Sequence, residues 1–283
     1  MFDLFAAAPK DLRRARLEEY QHYLVERDGE MNIQQRTLSR REQAIEHYEQ
    51  APAEIRSMDQ AEFRKQYSGF DRRKAIAPEM LLLLALVKVN SAEAYGVARN
   101  FQRSMDRALK NEDDSELRIL LEEGDHTRIL LSSANRYGIE VREPYRPPSA
   151  LRVLIGGIAT APMAIARPLT LAGEIIATLI FSNLIEVTQR VLKHDPDTRD
   201  ALVERVVEIC TDECGHISYN RMHMGPADLA ETRLILPMTA RIMATGFPEL
   251  VALGAYPLDV MRQLPQLDPK HLPECVQRQA FVA

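Results

Sequence analysis

Two stretches of this chain place a glutamate and a histidine three residues apart inside aliphatic sequence: Glu123-x-x-His126 in LRILLEEGDHTRILL and Glu213-x-x-His216 in VVEICTDECGHISYN. At helical spacing Ile119, Leu120, Glu123, His126, Thr127 and Leu130 share one face, and so do Val206, Ile209, Cys210, Glu213, His216, Ile217 and Asn220. An acid and an imidazole thus interrupt an apolar stripe twice. An ionised carboxylate buried without a partner costs several kcal/mol, so each pair needs a metal ion or a strong ion pair. Mixed carboxylate and imidazole ligands suit iron or manganese, whereas a thiolate-rich set suits zinc. A third match, Glu19-x-x-His22, shares its face with Leu12, Arg16 and Glu26 and reads as a solvated helix surface.

The elements that position these pairs read as helices. The 283-residue chain is aliphatic-rich, with 12 Gly, no Trp and 6% aromatics, which points to an all-α fold. Helical stretches near 10–27 and 39–50, with breaks at Asp28-Gly29 and Pro52, form an N-terminal extension over residues 1–75. Pro78 opens a long apolar helix to about 108. After the polar tract Asn111-Glu112-Asp113-Asp114, Ser115 caps a helix over about 116–135. Five prolines between Pro144 and Pro168, with Gly156-Gly157, mark a long crossover. Helices over about 169–193 and 198–223 follow, then shorter ones near 229–245 and 249–262. The three segments are an extension (1–75), a helical core (76–225) and a C-terminal addition (226–283).

Two hairpins of long helices joined by a crossover match a four-helix bundle with one long connection. Over roughly residues 78–223 the chain resembles the ferritin-like di-iron superfamily. Asp212-Glu213-Cys214-Gly215-His216 looks like the Asp-Glu-x-x-His signature of its fourth core helix, and Glu122-Glu123-Gly124-Asp125-His126 like the equivalent in the second. The additions at both ends look most like its oxygenase branch, which includes p-aminobenzoate N-oxygenases and acyl-carrier desaturases. The N-oxygenases carry a further histidine one turn before the fourth-helix glutamate, where this chain has Ile209, so the resemblance does not extend to amine oxygenation.

The resemblance implies a ligand set of the two Glu-x-x-His pairs plus one glutamate from each remaining core helix. Glu93 is the acid in the middle of the first apolar helix. On the third helix the 90-residue shift from Glu123 to Glu213, applied to Glu93, lands at 183, near Glu186, which is favoured. Glu174, flanked by Leu171, Ala177, Thr178 and Phe181, stays open as the alternative. The metal ligands expected are therefore Glu93, Glu123, His126, Glu186, Glu213 and His216, holding two iron ions, with manganese or a mixed pair suiting the same ligands. Glu123 and Glu213 would bridge the ions and take part in catalysis, with O2 as co-substrate and a small organic molecule oxidised. Asp125 or Asp212 would accept the histidines' free N–H, Tyr95 and Tyr219 either line a cavity or pack, and Cys210 and Cys214 pack.

Other classes are set aside on composition. A net charge of -5 without a long basic block argues against nucleic acid. The absence of a secretory pattern and of an uncharged apolar run of about 18 residues argues for a soluble, cytoplasmic protein off the membrane, and three cysteines fit a reducing compartment. No flavin or nicotinamide fingerprint is visible, so electrons would come from a reductase or another external donor. A homodimer is compatible with the sequence. The alternatives are an iron-handling ferroxidase-type protein, or a non-enzymatic bundle whose Glu–His pairs bond to each other or to Arg128 and Arg190.

Overall fold

The computed structural model describes residues 3–50, 58–111, 114–141 and 146–282; Pro52, Glu112, Asp113 and Pro144 lie outside them. Within these residues the chain is mostly helical. In order come α1 (Lys10–Asp28), a two-residue hairpin of β1 (Met31–Asn32) and β2 (Thr37–Leu38), α2 (Ser39–Gln50), α3 (Gln60–Ser68), α4 (Pro78–Asn111), α5 (Ser115–Asn135), α6 (Ser149–Thr160), α7 (Met163–Val191), α8 (Pro196–Met222), α9 (Pro226–Gly246), α10 (Pro248–Leu253), α11 (Val260–Gln263), a 3-10 turn (Leu264–Leu267) and α12 (Glu274–Gln277). The hairpin is the one departure from all-helix. Gly29, at φ +80, turns the chain into it beside Ser39 and Arg40, where a Cβ would collide.

α4 packs on α5 and α7 on α8, and the two hairpins meet through α5–α8 and α4–α7 contacts. The core follows from the sequence pattern. Leu82 to Val87 on α4 are fully buried, and Leu171, Ile175, Leu179 and Leu184 on α7 interleave with Val206, Ile209 and Cys210 on α8. α4 and α7 are long and apolar enough to cross a membrane; 62% and 61% of their apolar windows are buried inside this fold.

Three expectations change. The long crossover between Pro144 and Pro168 contains α6, and α7 begins within it at Met163 and not near 169. Pro162 precedes α7, and Pro168 in its second turn removes one early backbone bond without ending the helix. Ser115 begins α5 instead of capping it; Asp114 stands at the cap and holds Arg118 Nε at 3.0 Å. The expected helix near 249–262 is two short ones, α10 and α11, parted at Gly254, whose φ is +78.

The additions are packed on the core rather than beside it. α1 lies on α8 and α5, α2 on α5, and α9 on α7. One buried ion pair ties the C-terminal part to the core, between Lys88 Nζ on α4 and Glu249 on α10.

Candidate metal centre

Every residue of α8 from Ile209 to Asn220 is buried, because α5 and α7 cover one side and α1 and α12 the other. The sequence pattern showed one apolar face; the N-terminal helix supplies the cover for the rest. The polar groups on this helix are consequently inside the protein, where each must find a partner.

The two histidines are oriented crosswise between α5 and α8. His126 Nε2 lies 2.8 Å from Asp212 Oδ2, and His216 Nε2 lies 2.8 Å from Glu122 Oε2. Carboxylates at both Nε2 atoms fix the proton there and turn each Nδ1 lone pair inward. His126 Nδ1 is 3.8 Å from Glu123 Oε2 and 3.8 Å from Glu213 Oε1. His216 Nδ1 is 3.0 Å from Glu123 Oε1 and 3.6 Å from Glu174 Oε2. Both Nδ1 atoms, Glu93 Oε2 and Glu213 Oε2 are buried without a hydrogen-bond partner.

Ligand atoms of Glu123, Glu174, Glu213 and His216 all lie within 4.8 Å of one another, and so do those of Glu93, Glu123 and His126. These are two adjoining positions that share Glu123. Four carboxylates and two imidazoles with inward lone pairs carry a formal charge of −4 when ionised, which two divalent cations would cancel. Burial, reinforced by Glu123 and Glu174, pushes the Glu93 and Glu213 carboxyls well above the usual range. The His216 imidazole is pushed up in spite of its burial, because Glu122, Glu123 and Glu174 surround it.

Glu186, favoured from the sequence, is exposed and takes no part; Glu174 stands in its place. Twelve residues of helix put Glu186 about 120° around α7 from Glu174. The repeat between the hairpins is not uniform. The two glutamates of the first hairpin are 30 positions apart (123 − 93) and those of the second 39 (213 − 174), so a shift taken from one cannot be carried to the other. The apolar flanks of Glu174 were the better signal.

Around the centre lies a buried charge network from the N-terminal helices. Asp212 is paired with Arg41 and Arg27 through short contacts, and Arg41 also reaches Asp125 at 3.2 Å, Glu208 at 3.2 Å and Asp28 at 3.5 Å. Burial alone would raise the Asp212 carboxyl; Arg27 and Arg41, with His126, hold it well below the usual range. Burial and the nearby Glu122 push Asp28 up to about 8. Asp125, one of two candidates for orienting a histidine, faces Arg41 and Arg128 instead, and burial raises it to about 6. Glu122 was missed, although it precedes Glu123 as Asp212 precedes Glu213. Arg27, Arg41 and Tyr20, which packs 3.2 Å from where a Gly215 Cβ would stand, carry no spacing signal relative to the core motifs.

The remaining candidates fall away from the ligand set. Glu19 and His22 are exposed on α1. Cys210 and Cys214 belong to neither group, and Cys210 Sγ faces Thr178 O at 3.9 Å. Arg128 binds Glu42 and Glu49, and Arg190 binds Leu253 O, so neither engages the Glu–His pairs. Tyr95 is covered by Arg99, 5.2 Å from its ring, while Tyr219 lines a cavity.

That cavity, about 290 Å³, opens onto Glu93, Glu123, Glu174 and Glu213. α6, the helix inside the crossover, forms one wall with Leu151, Leu154, Ile155 and Ile158, and Phe181 and Met243 add to it from α7 and α9. Compared with protein-family models, with curated proteins and with solved structures, the chain matches none.

Proposed function

We propose that this chain is a non-haem di-iron oxygenase or oxidase, built on a ferritin-like four-helix bundle of α4, α5, α7 and α8, that oxidises a small organic substrate with O2. The observation that supports it most is the pair of unpartnered Nδ1 atoms facing four carboxylates, next to an apolar cavity. Glu93, Glu123 and His126 would hold one ion, and Glu174, Glu213 and His216 the other. Glu123, which belongs to both groups, would serve either ion, and Glu213 Oε1 also lies within 3.8 Å of His126 Nδ1. Bound iron would supply the electron transfer to O2, which no protein side chain provides. Manganese suits the same donors.

The chain's own groups do the rest. Asp212 and Glu122 hold the imidazole protons on Nε2 and so keep Nδ1 available as a donor. Arg27 and Arg41 keep Asp212 ionised for that task. The aliphatic wall leaves room for an organic molecule beside the carboxylates. That room is what favours oxidation of an organic substrate over iron handling, which has no use for a mostly apolar pocket beside the carboxylates. Electrons would come from a separate donor, and the three free cysteines fit a reducing cytoplasmic setting.

The test is metal content per chain after anaerobic loading with ferrous iron, for the parent, Glu213→Ala and His126→Ala, followed by visible spectra on admitting O2. Two irons per chain, diminished in both variants, with an absorption band that forms and decays after O2, is the result expected. No stoichiometric metal in the parent would overturn the reading.

A further inference from the structure

Outside the four cluster carboxylates, the polar side chains that line the cavity are engaged within the protein, with one exception among the described residues. Asn100 Nδ2 donates to Gly96 O and Asn220 Nδ2 to His216 O, both at 3.0 Å, and the Thr170 hydroxyl donates to Ala166 O at 3.0 Å. Glu116, Arg167 and Tyr219 each have a partner as well. The exception is Thr239 on α9, which is 1% exposed and whose Oγ1 has no hydrogen-bond partner. Thr178, Thr211 and Thr232 turn their hydroxyls back to the carbonyl four residues earlier. Thr239 does not. With Met243 and Phe247 it lines the cavity at i, i+4 and i+8 of α9, so its hydroxyl sits in an apolar wall.

The charge balance narrows what can enter. Two divalent ions at the centre would cancel its four carboxylates, and without ions the same carboxylates repel an anion. Away from the centre, Glu116 and Arg167 already have partners. An ionic ligand group would therefore be buried without a counter-charge, which is strongly unfavourable. A neutral oxygen needs one donor, and a hydroxyl that rotates about its own bond supplies it. The rest of the lining is aliphatic or small, as at Val97, Ile119, Leu154, Ile155 and Gly173. A volume of about 290 Å³ stands at the lower end of ligand pockets, which suits a compact molecule.

We propose that the cavity binds an uncharged, mostly apolar molecule with a single carbonyl or hydroxyl oxygen, such as a medium-sized ketone, aldehyde or alcohol, and that Thr239 Oγ1 receives that oxygen. As an assignment of substrate this rests on the function proposed above; as an assignment of ligand it stands on the cavity alone.

The test is calorimetric titration of the full chain, both freed of metal with a chelator and loaded anaerobically with manganous ion, using 2-octanone, 1-octanol, propylbenzene and octanoate. Octylamine is compared on the loaded protein, where the carboxylates are neutralised. The ketone and the alcohol are expected to bind saturably, and the two ions at least about tenfold more weakly. Thr239→Val, which keeps the side-chain shape, should weaken 2-octanone about three- to tenfold and leave propylbenzene within about twofold. Its Tm should be no lower than the parent's, since the hydroxyl holds nothing in the ligand-free protein. Gly173→Leu, whose Cβ points into open space with no atom within 4 Å, should weaken all three neutral compounds by about tenfold or more, and it carries the test should the threonine variant not fold. Either ion binding as tightly as 2-octanone, no saturable binding of the neutral compounds, or 2-octanone unaffected by Thr239→Val would overturn the assignment. Metal content of the same preparation separates the two proposals. Two ions per chain with no neutral ligand bound removes the ligand class alone, whereas neutral ligand bound without metal keeps the ligand and removes the oxidase.

Discussion

Replacing Asp212 by asparagine changes one oxygen to nitrogen at a position where three cationic or donor groups converge: His126 Nε2 at 2.8 Å, Arg27 and Arg41. Two consequences follow, and they are measured separately. Removing the anion leaves two guanidiniums in the interior without their main counter-charge, which costs about 3–5 kcal/mol for a buried pair broken on one side. For a chain of this size that corresponds to a fall in Tm of roughly 6–10 °C. The imidazole also loses the charged acceptor that fixes its proton on Nε2, and such losses weaken metal binding about 10- to 100-fold, or about 1.4–2.8 kcal/mol. The assay is thermal unfolding of metal-free protein alongside anaerobic titration with ferrous or manganous ion. Arg41→Met, which disturbs the network without touching the histidine directly, serves as comparison. A lower Tm with unchanged metal affinity in Asp212→Asn would refute the assignment and reduce Asp212 to an anchor for the N-terminal helices.

Glu174→Ala is expected to lower bound metal below two ions per chain, while Glu186→Ala, at an exposed position, keeps full occupancy and shifts stability by no more than about 0.5 kcal/mol; the reverse pattern on elemental analysis would return the ligand role to Glu186. The metal-free chain should lose stability as pH rises from about 4 to 8, because Asp125 at about 6 and Asp28 at about 8 hold protons that an unfolded carboxyl has already released. Glu93 and Glu213, also pushed up, act in the same direction, and Asp212, held low, opposes them only below about pH 4. A metal-free Tm higher at pH 8 than at pH 5.5 would contradict this, and loading metal should remove the share of the slope that Glu93 and Glu213 contribute, leaving that of Asp125 and Asp28. Tyr20→Phe removes a fully buried hydroxyl that has no hydrogen-bond partner, so it should raise stability by about 1 kcal/mol in urea unfolding; a loss of that size would show that the hydroxyl is engaged.

Much of the centre was legible because its signals are local. Glu123, His126, Glu213 and His216 are acids and imidazoles inside apolar helical stripes, and Glu93 is the acid in the middle of a long apolar helix; periodicity alone finds such residues. Glu174 was harder, since choosing between two acids on one helix needs the vertical register of that helix against its neighbours, which is set by connection lengths and packing. The orienting groups were legible in part: Asp212 and Glu122 occupy matching places in the two motifs. Arg27 and Arg41 were not, because they come from helices about 170 to 185 positions away in sequence, with nothing in their own surroundings to show what they meet. The crossover illustrates a different limit. Its prolines were read as marking a connection between the hairpins, yet Pro148 and Pro162 stand at the N-caps of α6 and α7, where a proline costs a helix little, and the helix hidden there builds the cavity wall.

The crosswise hydrogen bonds at the centre have a thermodynamic consequence. The acid that steadies each imidazole sits beside the cluster glutamate of the opposite Glu-x-x-His, Asp212 next to Glu213 and Glu122 next to Glu123. An ion arriving at either position therefore tightens a helix segment that also aims the donor for the other. The two positions should fill as one event, with the second ion bound more tightly than the first. Intermediate loading would be scarce, and a fault in either hairpin would empty both.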